Sequence, residues 1–237
     1  MRPRLTPAVV AAFAVSQLSV VFLLLAPLAN SPWASGFRNY FSIDQFSYAS
    51  IATNLANGHF ALVEPFTRTG SSYYPSLWYQ VLGAFSWLTH VPVYLAWTLL
   101  GLGAVCLVVL AAGWVAWRLS RYWWAPVMPG LALAVGTFST FTSNNWYTSL
   151  DNHAVLWGPY GTLFTLNGEV IALSSVALSA LIIMCAQRAN SAARSTLLLL
   201  VLAGAILGLT ASIQTYSFFS GLTLAVVAFS VYGLLTA

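Results

Sequence analysis

Long apolar runs, separated by short arginine-bearing turns and two polar loops, restrict this chain to a membrane. Hydrophobic residues make up 59% of it and charged residues 5%, whereas a soluble domain carries roughly 25% charged residues. So few charges cannot cover a water-soluble surface. The sequence therefore predicts an all-α integral membrane protein embedded in a lipid bilayer. The arginines are scattered and form no basic patch, so no nucleic-acid partner is expected.

Hydropathy predicts about six transmembrane helices in a single transmembrane domain that covers residues 1–237. Such runs suit a bilayer whose hydrocarbon core is about 30 Å thick. The predicted spans are at about residues 6–29, 92–117, 125–141, 169–186, 196–213 and 218–235. The outer loops are then at about residues 30–89 and 142–168. We expect that the chain is either a fragment of a longer protein or ends abruptly after its last span, because no polar tail follows.

The charges separate by sign across these spans, and Arg38 and Arg68 are the only basic residues on the acidic side. Six arginines are on one side: Arg2, Arg4, Arg118, Arg121, Arg188 and Arg194. All four acids are on the other: Asp44, Glu64, Asp151 and Glu169. Because basic residues favour the cytoplasm, we expect a cytoplasmic N-terminus and acidic loops outside. Residues 77–88 cannot then be a span, since every later arginine would change sides, and we predict an interfacial helix there.

The first outer loop begins with a predicted amphipathic helix. Ser42 and Gln45 have the spacing of a capping box, apolar residues recur at helical spacing from Tyr48 onwards, and Gly58 is a plausible stop. Asp44 falls in the first turn, where unpaired N–H groups and the helix dipole favour its charged form. It is either a helix-start acid or, because acids held near a membrane are scarce, a functional residue.

The remainder of this loop offers further binding groups. Arg68 can pair with Glu64 or hold a phosphate through its planar guanidinium. Tyr73 and Tyr74 can form a stacking face for a sugar ring. Trp78 and Tyr79 are expected to anchor at the level of the lipid headgroups.

The second outer loop and the later spans carry the other candidates. His153 can bind a donor phosphate or ligate a metal, although a lone loop histidine more often does neither. Gln214 and Tyr216, at the outer end of the fifth span, are weaker candidates for lining a donor site. Glu169 opens the fourth span, where a helix N-terminus favours an acid.

The first loop resembles the N-terminal part of the GT-C superfamily of polytopic glycosyltransferases. The similarity rests on Asp44 after the first span, Tyr48 four residues later, a short helix ending in glycine, and the run Tyr73-Tyr74-Pro75 before an aromatic helix. The nearest branches are the protein mannosyltransferases, the aminoarabinose transferases and the bacterial cell-wall arabinosyltransferases. Two departures are Gln45, where many members have a second acid, and Ser76, where many have a second proline.

The resemblance implies a glycosyltransferase of the bacterial plasma membrane that takes its sugar from a polyprenyl phosphate. Asp44 would be the catalytic base, and Asp151 would be the second acid that approaches it. A divalent cation, Mg²⁺ or Mn²⁺, would be held by Asp44, Asp151 or His153 if one is bound. The acceptor would be a glycan, a lipid or a protein, and further membrane segments or subunits would complete the enzyme. The alternatives are a transporter and a non-catalytic membrane subunit of an envelope complex.

Overall fold

The structure, a computed structural model, describes residues 5–25, 42–60, 75–133, 166–188 and 193–236. Within those ranges it contains helices and turns and no strand. The helices are α1 (Pro7–Leu25), α2 (Ser42–Ala56), α3 (Leu77–Thr89), α4 (Val93–Ser120), α5 (Gly168–Arg188), α6 (Ala193–Ile213) and α7 (Thr215–Thr236). After α4, a 3₁₀ turn at Ala125–Val127 leads into a helix over residues 128–133. The prediction of an all-α protein is confirmed for this part of the chain.

Among the described residues, four helical segments are long and apolar enough to cross a membrane: Pro7–Leu25, Val93–Ser120, Gly168–Ala186 and Ser195–Ile213. They match the first, second, fourth and fifth predicted spans. The third predicted span is helical up to residue 133, and its remaining residues lie outside the described ranges. The sixth falls in α7, where Thr215–Ala228 is a shorter apolar helix. A multi-pass membrane protein is therefore supported, and the count of six spans stays a prediction.

Helix α1 runs antiparallel to α4. Near the start of α1, Val9 packs with Trp117, close to the end of α4, and with Ala125 of the 3₁₀ turn. Near the end of α1, Leu24 belongs to the main core cluster together with Trp97 from the second turn of α4. The start of α1 therefore lies beside the end of α4, and the end of α1 lies beside the start of α4.

Helices α5 and α6 form an antiparallel pair beside α4. Leu166, two residues before α5, fits against Gly101 in α4, where a Cβ would lie 2.8 Å from the Leu166 Cβ. Halfway along α5, the Ser179 hydroxyl donates a hydrogen bond of 2.8 Å to the carbonyl oxygen of Ala203 in α6. Helix α7 packs against both. The starts of α4, α5 and α7 thus lie at one end of the bundle.

This arrangement keeps the charged positions of the described helices apart. We call the end where Tyr48, Tyr79 and Gly168 meet the tyrosine end, and the opposite end, where α4 finishes, the arginine end. The arginine end receives four arginine positions: Arg118, Arg121, Arg188 and Arg194. The acidic positions of the described helices, Asp44 and Glu169, are in the first turns of α2 and α5, towards the tyrosine end. The predicted grouping of charges is therefore reproduced by how the helices pack.

Helices α2 and α3 lie side by side and run in the same direction. Tyr48 lies against Tyr79, and further along Ala52 and Leu55 lie against Gly83. A Cβ on Gly83 would be 2.5 Å from the Ala52 carbonyl oxygen and 2.8 Å from the Leu55 Cβ. Because such separations are too short for any side chain, glycine at this position permits the close approach of the two helices.

Helix α2 ends as its sequence predicts. Gly58 adopts a left-handed backbone conformation with φ of +83°. Its N–H donates to the Leu55 carbonyl at 3.0 Å, and the N–H of His59 donates to the Asn54 carbonyl at 2.9 Å. These two bonds make a Schellman motif, which satisfies carbonyl groups that the end of a helix leaves unpaired.

The helix predicted at residues 77–88 is present as α3, and its interfacial position stays a prediction, but the role predicted for two of its aromatic residues is wrong. Trp78 and Tyr79 are 7% and 1% exposed and belong to the main core cluster, so they are not headgroup anchors. The reason is the contact at Gly83, which lets α2 cover this face of α3. Trp87 and Leu88, nearer the end of α3, are 46% and 69% exposed.

Replacing Gly83 with alanine should weaken the packing of α2 on α3. We expect the variant Gly83→Ala to lose about 1–3 kcal/mol of stability, because the added methyl group overpacks a close contact. Thermal unfolding of the purified protein in detergent micelles would measure the loss. The control is Gly103→Ala in α4, where a Cβ would meet no atom within 4 Å and where alanine favours the helix. Equal unfolding midpoints for the two variants would contradict the assignment.

Candidate functional site

Tyr79, in the first turn of α3, is the centre of the tyrosine end. Its ring stacks on Tyr48 of α2, with centroids 4.8 Å apart and planes at 10°. It is also tilted against Trp97 of α4 at 5.4 Å. Its hydroxyl accepts a hydrogen bond of 3.1 Å from the backbone N–H of Gly168. One buried side chain therefore joins α2, α3, α4 and the start of α5.

The start of α5 is capped from two sides. The Asn167 side-chain oxygen accepts hydrogen bonds from the N–H groups of Glu169 and Val170, at 3.1 and 3.2 Å. Asparagine is among the preferred residues for this capping role. Together with the bond from Gly168 to Tyr79, three of the four N–H groups that a helix start leaves without intrahelical partners are satisfied.

Glu169 lies next to the contacts that hold the start of α5. It was predicted as a helix-start acid, and it does occupy the first turn of α5. The structure also shows that it is half-buried and directly follows the residue bonded to Tyr79. The sequence Asn-Gly-Glu is a recognisable helix-capping pattern. The adjacent hydrogen bond between Gly168 and Tyr79 joins residues 89 positions apart, which no local pattern reveals.

Asp44 and Gln45 occupy the first turn of α2, which confirms the predicted helix start in this loop. Their side chains lie outside the part of the structure that is described. Position 44 precedes Tyr48 by four residues, and such positions share one face of a helix. Asp44 is therefore one turn, about 5.4 Å along the axis, from the residue that stacks on Tyr79.

Gln214 and Tyr216 lie at the tyrosine end, and their place in a donor site stays a prediction. Helix α6 ends at Ile213, whose carbonyl oxygen is 3.4 Å from the position that a Cβ would take on Gly168. Gln214, the single residue between α6 and α7, is half-buried next to that contact, and Tyr216 is 80% exposed. Gln214 is thus close to the start of α5, whereas Tyr216 faces outward.

A further polar pair at the start of α3 was not anticipated. The side-chain amide of Gln80 donates a hydrogen bond of 2.8 Å to the Ser76 hydroxyl. Ser76 is buried and Gln80 is half-buried. These groups flank Tyr79 in sequence, so the tyrosine end combines aromatic rings with hydroxyl and amide groups.

Six of the predicted site residues fall outside the described ranges. They are Glu64, Arg68, Tyr73, Tyr74, Asp151 and His153. Their predicted roles, in binding the substrate or its phosphate or as the second acid, stay predictions. Of the predicted residues with described side chains, the structure brings Tyr48 and Gln214 towards the start of α5.

The divalent cation also stays a prediction. Within the described ranges, no group of three or more histidine, cysteine, aspartate or glutamate residues is placed to hold a metal ion. Two of the residues expected to ligate it, Asp151 and His153, are beyond those ranges. Cys106 and Cys185 are free thiols on α4 and α5.

Comparisons with protein-family models, with curated proteins and with solved structures found no match for this chain.

Removing the Tyr79 hydroxyl should destabilise the tyrosine end while leaving its aromatic stack in place. In Tyr79→Phe the buried N–H of Gly168 loses its acceptor, which should cost about 1–3 kcal/mol. The thermal unfolding midpoint in micelles measures this cost. The matched control is Tyr122→Phe, which removes a hydroxyl from a tyrosine that is 59% exposed. If both variants unfold together with the unmodified protein, the bond to Gly168 has no structural importance.

Proposed function

We propose that this chain is a membrane glycosyltransferase that moves a sugar from a polyprenyl-phosphate donor to an acceptor at the outer face of the membrane. The observation that supports the proposal is the position of Asp44. It lies one helical turn before Tyr48, and Tyr48 stacks on the buried Tyr79. A scarce carboxylate is therefore carried by a helix that the core holds in place, at the end of the bundle opposite the arginine positions of the described helices.

In the proposed reaction, Asp44 accepts the proton of an acceptor hydroxyl as the hydroxyl oxygen attacks the anomeric carbon of the sugar. A new glycosidic bond forms. The bond between the anomeric carbon and the phosphate oxygen breaks, and the electron pair leaves with the polyprenyl phosphate. The family resemblance implies inversion at the anomeric carbon.

A lipid-linked donor suits the arrangement of the tyrosine end. Helix α3 has 13 residues, about 20 Å at 1.5 Å per residue, and is too short to cross a hydrocarbon core of about 30 Å. Short helices packed beside full spans create a region where a polar head and an apolar tail can be bound together. The acceptor would be a cell-envelope glycan, lipid or protein.

A second acid is part of the proposal. Asp151 is the position that matches the family, and it would orient the donor or a cation. Glu169 is a further candidate, because it is half-buried at the start of α5 beside the Tyr79 bond. Two carboxylates in one site can divide the work, one as the base and one as a positioning group.

Developing charge on the departing phosphate needs a positive partner. Arg68 and His153 are proposed for this purpose, with a divalent cation as the alternative. Gln45, Tyr73, Tyr74 and Gln214 are proposed to contact the sugar or the phosphate. We place the protein in the plasma membrane of a bacterium, with the arginine end in the cytoplasm.

The transporter alternative receives no specific support. Transporters place polar or charged groups near the bilayer midplane. Among the described residues, the buried polar side chains are serines and threonines, and those in the middle of spans include Ser179, which bonds to a backbone carbonyl. A non-catalytic subunit of an envelope complex would differ by showing no transfer in the assay below.

Asp44→Asn should abolish most transfer, because the amide cannot accept the proton. We expect a decrease of about 10²–10⁴-fold. Membranes containing the protein would be supplied with radiolabelled polyprenyl-phosphate arabinose, mannose or aminoarabinose in turn, and incorporation into the acceptor fraction measured. The control is Thr53→Ala, at an exposed position of the same helix, which should transfer at the unmodified rate.

Three outcomes are informative in this experiment. Transfer by the unmodified protein that Asp44→Asn leaves intact would remove Asp44 from the mechanism. No transfer from any of the three donors would count against the enzyme and favour the non-catalytic subunit. Loss in both Asp44→Asn and Thr53→Ala would show that α2 tolerates no substitution, and Asp44→Glu would then test whether a carboxylate restores activity.

A further inference from the structure

The end of α4 and the turn after it carry two exposed arginines, Arg118 and Arg121. Arg121 adopts a left-handed conformation with φ of 62°, and its N–H donates to the Trp117 carbonyl at 2.8 Å. The N–H of Tyr122 donates to the Ser120 hydroxyl at 3.3 Å. These bonds end the helix and define the course of the chain. We call residues 118–124 the arginine turn.

The guanidinium of Arg118 is associated with an aromatic ring. Its central carbon lies 6.0 Å from the centroid of Trp114, a separation typical of a cation–π contact. Trp114 meets Trp117 edge to face at 5.1 Å, and Trp117 is 3% exposed. The buried Trp117 thus supports Trp114, and Trp114 supports Arg118, which itself remains exposed.

The arginine turn also exposes aromatic side chains. Tyr122 and Trp123 are each 59% exposed and Trp124 is 43% exposed. Tyr122 and Trp124 stack with centroids 5.4 Å apart. Tyrosine and tryptophan are enriched where a membrane meets water, so the composition of the turn suits the depth of the lipid headgroups.

No carboxylate of the described residues neutralises these arginines. The chain has four acids, and the two within described helices, Asp44 and Glu169, are in first turns towards the tyrosine end. Arg118 follows Trp97 of the tyrosine end by 21 positions in α4, which corresponds to about 32 Å of helix. The arginine turn is therefore about 32 Å of helix away from them, and neither of the two acids within the described helices can neutralise its two positive charges.

We propose that the arginine turn binds the phosphate headgroup of an anionic phospholipid. Two guanidinium groups can grip phosphate oxygens through paired N–H donors. The surrounding rings place these donors at the depth where such phosphates lie. Charge complementarity selects an anionic lipid over a zwitterionic one. This inference is independent of the proposed glycosyl transfer and concerns the opposite end of the bundle.

The test is lipid binding by the purified full chain in neutral detergent, followed by native mass spectrometry. Dioctanoyl phosphatidylglycerol and dioctanoyl phosphatidylcholine are titrated separately. We expect tighter binding of the glycerol lipid and a loss of about fivefold per arginine, so about 25-fold in the double variant R118Q/R121Q. Binding should also weaken as sodium chloride is raised from 50 to 500 mM.

The matched control is R118K/R121K, which keeps both charges and should retain a preference for the anionic lipid. Equal affinity for the two lipids, or undiminished binding of the glycerol lipid by R118Q/R121Q, would overturn the proposal. Displacement of the lipid by equimolar inorganic phosphate would also overturn it, because the site would then be a free-phosphate site. If R118Q/R121Q does not fold, the lipid preference and the salt dependence of the unmodified protein decide the question alone.

Discussion

The hydrogen bond between the Tyr79 hydroxyl and the Gly168 N–H is the contact on which the tyrosine end depends. A helix that starts near a membrane exposes N–H groups that lipid cannot satisfy, and each buried group without a partner is costly. Tyr79 and Asn167 supply the acceptors for the first turn of α5. Because the ring of Tyr79 also stacks on Tyr48, the same residue determines where α2 lies. The position of Asp44 in the bundle follows from these contacts.

The second constraint is the separation of charge along the bundle. Antiparallel packing of α1 on α4 and of α5 on α6 gathers arginine positions at one end and the described acidic positions at the other. About 32 Å of helix lies between Trp97 and Arg118, close to the thickness of a hydrocarbon core. The two ends can therefore face the two surfaces of one membrane. Chemistry on a lipid-linked sugar is proposed at one surface and recognition of an anionic headgroup at the other.

Local patterns predicted much of the fold. The spacing of Ser42 and Gln45 placed the start of α2, and Gly58 placed its end, because capping and left-handed turns depend on residues adjacent in sequence. Hydropathy placed the four spans that the structure describes as long enough to cross a membrane. Trp78 and Tyr79 were misjudged, since whether an aromatic side chain anchors in headgroups or fills a core depends on which helix covers it. That helix, α2, approaches only because Gly83 has no side chain.

By itself, the sequence indicated a multi-pass membrane protein, located the four described helices that are long enough to cross a membrane, and predicted how the described charged positions are shared between their ends. These are properties of composition and of neighbouring residues. Only the tertiary structure decided that Tyr79 meets Gly168 across 89 positions, that Gln214 lies beside the start of α5, and that Glu169 joins the same region. Such contacts depend on the matching of helix surfaces. That matching is set by the shapes of both partners, whereas hydropathy describes each helix alone.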